Sequence, residues 1–131
     1  TMQQAMNKVK AMETAAARMD TDVRDIVREL YDLDKKMNLL DRQINGSDAR
    51  DEIGERNPPN FNSRISFARR GAFNTYGPTP AHRQSLEIAQ KEFEMHRTEL
   101  ESIVSEIEVV EQKLREMGAP WIEGQPIPGK Q

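Results

Sequence analysis

The sequence contains no cysteine, which excludes disulfides, thiol nucleophiles and cysteine-type zinc sites. It leaves the redox compartment open, since a secreted chain without cysteine is as acceptable as a cytosolic one. Aromatic residues are scarce at 5%, and hydrophobic residues reach 36% against 31% charged. A compact α/β enzyme carries more apolar side chains than this; a thin object with one buried seam needs fewer. No apolar run approaches the ~18 residues that span a bilayer, so membrane insertion by this segment is not expected. The start shows no signal-peptide pattern. A formal net charge of −3, from 19 basic and 22 acidic residues, runs against general nucleic-acid binding, which clustered positive charge drives. The 131 residues are expected to form a single domain. The opening Thr1-Met2-Gln3 reads as the start of a fragment of a larger protein.

Glycine and proline are nearly absent from two long stretches, and there the apolar residues are periodic. Met2, Ala5, Val9, Met12, Ala16, Met19, Val23, Ile26, Leu30, Leu33, Met37, Leu40 and Ile44 alternate steps of three and four, the seam of a coiled coil. A second series runs Leu86, Ala89, Phe93, His96, Leu100, Ile103, Ile107, Val110, Leu114 and Met117. Thr79 before Pro80 is a helix start, and Gly118 before Pro120 is a helix stop. These signals predict an all-α fold: a helix over 2–45, an irregular connection over 46–78, a helix over 79–117 and an extended tail over 118–131. The two helices are expected to form a long antiparallel coiled-coil hairpin. A symmetric fold-back would set Leu30 near Leu100 and Met12 near Met117.

The connection carries Gly46, Gly54, Pro58, Pro59, Gly71, Gly77 and Pro78, and a stretch this long is rarely structureless. Residues 63–70 are expected to form a short helix within it. From Arg56 to Arg83 there are five arginines and no acidic residue. Arg64, Arg69 and Arg70 are candidates for capturing an acidic partner; pairing with nearby helix carboxylates is the commoner fate of such arginines. Beyond its seam, the second helix carries Ile88, Met95, Val104 and Val109, a further stripe that predicts another packing surface. A second copy would complete a four-helix bundle. The tail contains the only tryptophan, and Trp121 with Ile122 is expected to fold back onto the hairpin or to dock elsewhere.

No catalytic constellation emerges. The chain has no phosphate loop, no nucleophile elbow and no dinucleotide fingerprint, and no cofactor is expected. A di-iron bundle needs Glu-x-x-His on two helices, whereas Phe93 stands three residues before His96 and the first helix has no histidine. A metal site built from His96 with Glu92 or Glu99 is therefore the weaker reading. His96 fits better as a polar seam residue that fixes register.

Several loop and cap motifs carry a family resemblance. Arg56-Asn57-Pro58-Pro59, Ser63-Arg64-Ile65, Gly77-Pro78-Thr79-Pro80, Ile88-Ala89, Glu92-Phe93 and Gly118-Ala119-Pro120-Trp121 occur in that order. Over roughly residues 40 to 128 the chain resembles the carboxy-terminal helical region of bacterial sortilin-like β-propeller proteins. Those proteins carry BNR repeats and are often labelled glycosyl hydrolases. The resemblance implies an upstream propeller as the packing partner and an exported, envelope-associated or extracellular setting. It maps no catalytic residue onto this segment.

Overall fold

The computed structural model describes residues 1–47, 50, 52–56 and 58–120. The fold is all-helical, with no strand among the described residues. We label the helices α1 (Met2–Ala17), α2 (Arg24–Asn45), α3 (Phe61–Ala72) and α4 (Pro80–Glu116). The chain divides into two compact units, one made of residues 1–37 and 100–131, the other of residues 38–99.

The helix expected over 2–45 is broken. α1 ends at Ala17, where Arg18 and Met19 bond back to the Ala15 and Ala16 carbonyls in tightened turns. α2 begins at Arg24. The break falls on Asp20-Thr21-Asp22, whose short polar side chains compete for backbone groups that a helix would use. Asp22 does so directly: its carboxylate accepts from the Arg24 backbone N–H at 3.2 Å and from the Arg24 guanidinium at 2.6 Å. Apolar periodicity passes through this turn unchanged, with Met19 and Val23 only half-buried.

In the first unit, α1 lies beside α4. Lys8 pairs with Glu111, and Thr1, Ala5 and Lys8 share a hollow with Val104, Ile107 and Glu108, in the same order along both helices. Between α2 and α4 the order is opposite: Glu29 pairs with Lys113 at 2.7 Å and Lys36 with Glu106 at 2.6 Å. Val9, Met12, Leu30, Met37, Ile107 and Leu114 are buried among the three helices. Full burial of each large aliphatic side chain contributes about 1.5–3 kcal/mol. This arrangement corrects the expected register. Glu29, next to Leu30, holds Lys113 rather than a residue near Leu100. The symmetric fold-back assumed an unbroken first helix; with α1 turned back, only the chain from Arg24 onward is left to pair in that sense. Met117, expected in the seam, is 39% exposed.

In the second unit, α3 covers the first half of α4. Pro58 and Pro59 precede it, and a capping box opens it: Asn60 Oδ1 accepts from Ser63 N–H and Ser63 Oγ accepts from Asn60 N–H, both at 2.9 Å. α3 extends beyond the expected 63–70 at both ends. Phe67 stacks on His82 with ring centroids 4.5 Å apart, Ser85 Oγ donates to the Arg64 carbonyl, and Phe61 meets Phe93 and His96. On this part of α4 the expected seam residue Ala89 is buried, joined by Ser85, which lies outside that series. Leu86 and Phe93, both expected in a continuous seam, are 43% and 50% exposed. His82 also serves the start of α4, its Nδ1 accepting from the Thr79 N–H at 3.1 Å. Gly118, with φ of 78°, closes the other end. There the Ala119 N–H reaches the Leu114 carbonyl and the Gly118 N–H the Arg115 carbonyl, the paired bonds of a Schellman cap.

Candidate functional site

The site with the most varied chemistry lies in the second unit. The end of α2, the segment leading into α3 and the middle of α4 line a half-open cavity of about 510 Å³. Arg42 comes from the last turn of α2, Arg50 from the segment after it, Asn60 from the α3 cap, and Glu92, Met95 and His96 from α4. Glu92 and His96 are four residues apart and so share a helix face.

Glu92 is held from one side. Its Oε1 accepts from the Arg64 Nε at 3.1 Å, while Oε2 is buried without a partner. His96 meets the Phe61 ring edge-on, with centroids 6.1 Å apart, and its Nδ1 is likewise buried and unpartnered. Arg42 and Arg50 form no ion pair with any described residue. Arg42 and Arg50 thus give the cavity two guanidinium donors, while Glu92 Oε2 and His96 Nδ1 are buried behind its lining. The described residues gather no group of three or more histidine, cysteine, aspartate or glutamate side chains able to hold a metal.

The residues singled out from sequence are dispersed. Ile88, half-buried, lines a hollow with Arg64 and Phe67; Met95, 67% exposed, forms part of the cavity wall. Both belong to the second unit. Val104 and Val109 belong to the first. Val104 is half-buried beside α1, so part of the expected stripe is covered within the chain itself. Val109, 56% exposed, sits in a groove with Leu33 and Lys36 of α2. Trp121 and Ile122 lie outside the described residues.

The three arginines divide as well. Arg64 pairs with Glu92 and is three-quarters buried, the fate expected of such residues. Arg69 and Arg70 are exposed and lie over the Phe73 and Phe67 rings, 5.9 and 5.8 Å from the centroids. Sequence reasoning missed Arg42, Arg50 and Asn60. The Pro58-Pro59-Asn60 run was a readable helix start; the approach of Arg42 to it is a tertiary event with no periodic signal. Comparison of the chain with family models, curated proteins and solved structures gives no match.

Proposed function

We propose that this chain is a non-catalytic packing and assembly module, in which α2 and α4 form an antiparallel hairpin with a coiled-coil seam. The opposed order of the Glu29–Lys113 and Lys36–Glu106 pairs supports the hairpin. One observation carries the assembly role: three helices surround the core of the first unit, yet the α2–α4 groove leaves Val109 56% exposed beside Leu33. A fourth helix would fill that groove. Its rim carries both signs, with Glu29, Asp32 and Glu106 set among Lys35 and Lys36. A second copy related by a two-fold axis would meet opposite charges there, completing a four-helix bundle. The resemblance to the carboxy-terminal region of sortilin-like propeller proteins extends this reading to a parent protein, whose upstream domain would be the other surface served.

Light scattering across a concentration series tests the role. A dimer that Val109→Lys converts to a monomer supports self-assembly through this groove. A monomer at every concentration, for both proteins, overturns it.

A second reading has its own observation. Arg69 and Arg70 are exposed and form no ion pair with a described carboxylate, so they are available to an acidic partner. Salt-sensitive binding of a poly-glutamate peptide, abolished by Arg69→Glu with Arg70→Glu, would support it. Binding unchanged by those substitutions would end it.

A further inference from the structure

We propose that the cavity of the second unit binds a small organic anion: one oxyanion head, carboxylate or phosphate, on an apolar body. Charge provides the first argument. Glu92 is neutralised by Arg64 at 3.1 Å, which leaves the positive charges of Arg42 and Arg50 unbalanced by any described ion pair. A guanidinium fork matches the geometry of an oxyanion and can hold it through two bonds. Part of the lining is apolar. Met95, 67% exposed, lines the cavity together with Pro58 and Pro59, and these side chains suit a hydrocarbon or aromatic body. Proline fixes the backbone of that wall, so little order is lost when an occupant arrives. The volume of about 510 Å³ falls in the range of small-molecule sites, roughly 300–1,000 Å³.

A second observation is independent of charge. Both of the unpartnered buried side-chain polar atoms among the described residues, Glu92 Oε2 and His96 Nδ1, belong to residues that line this cavity. Orphaned polar atoms are rare in folded proteins, and each costs about 1–3 kcal/mol.

The test is an NMR titration of the full chain, reading the imidazole signals of His96 and His82 and the side-chain Nε–H signals of arginine. Four probes separate the contributions: benzoate and phenyl phosphate for the two heads, inorganic phosphate for the head alone, and benzyl alcohol for the body alone. The expected result is a saturable shift of His96, with His82 unmoved, for benzoate or phenyl phosphate. Whichever of the two binds more tightly identifies the head. Arg42→Gln and Arg50→Gln, both at exposed positions and so neutral for folding, should each weaken that binding roughly tenfold, as expected for loss of one charged hydrogen bond. The proposal is overturned if neither aromatic anion shifts His96. Equal binding in the glutamine variants, or equal binding of benzyl alcohol or inorganic phosphate, overturns it too.

Discussion

Gly71 of α3 packs against His82 of α4. It is buried, and a Cβ placed on it would lie 2.5 Å from His82 Cγ and 2.8 Å from His82 Cβ. Two effects oppose one another in Gly71→Ala. Alanine gains about 1 kcal/mol of helix propensity, while overpacking costs about 1–3 kcal/mol. The imidazole can rotate about the Cα–Cβ bond, but His82 Cβ is fixed to the backbone and cannot swing aside, so the cost wins. We expect a net loss of about 1 kcal/mol, read as a lowered midpoint in urea unfolding. The loss should persist in a His82→Ala background, because the Cβ contact survives there. A gain in stability in either background would show that the helices simply move apart.

Asp22 makes the other prediction at this scale. Its carboxylate is fully exposed, and hydrogen bonds from the Arg24 guanidinium, then from the Arg24 backbone, hold its pKa below the ordinary 3.8. The folded state therefore favours the charged form. Its contribution to the start of α2 is present above the ordinary carboxylate range and is lost as pH falls through the lowered value. A carboxyl-carbon NMR titration should place the Asp22 midpoint below the ordinary 3.8, and Arg24→Gln should raise it toward that value. An unchanged midpoint would dissociate the pair from the turn.

At the scale of elements, the sequence was legible where local chemistry and periodicity agree. Thr79-Pro80 and Gly118-Ala119-Pro120 are start and stop signals whose hydrogen bonds form within a few residues, and α4 runs between them at Pro80–Glu116. The break at 18–23 was illegible to periodicity, because Ala16, Met19 and Val23 keep the heptad spacing across it. Its only signal was the Asp20-Thr21-Asp22 triplet. Register failed for the same cause, since one turn moved α1 from the end of a long helix to the side of α4. The site was less legible still. Arg42, Asn60 and His96 meet only after three elements assemble, and nothing in the spacing of 42, 60 and 96 encodes that meeting.

At the scale of the whole molecule, the division into two compact units crosses two continuous helices. α2 extends from Arg24 to Asn45 and α4 from Pro80 to Glu116, so each contributes hydrogen-bonded turns to both units. Helix propagation is cooperative, and ending a helix internally exposes up to four donors or acceptors at each new terminus. Melting one unit alone would require that cost twice, once in α2 and once in α4. We therefore expect one thermal transition by circular dichroism, displaced by substitutions in either unit. Leu30→Ala acts in the first: Leu30 is fully buried, and such a deletion costs about 2–5 kcal/mol. Gly71→Ala acts in the second. Both should lower a common midpoint, Leu30→Ala by more. A curve that separates into two steps in Leu30→Ala, the later one keeping the wild-type midpoint, would mean that α2 and α4 fray at the boundary and that the units fold independently.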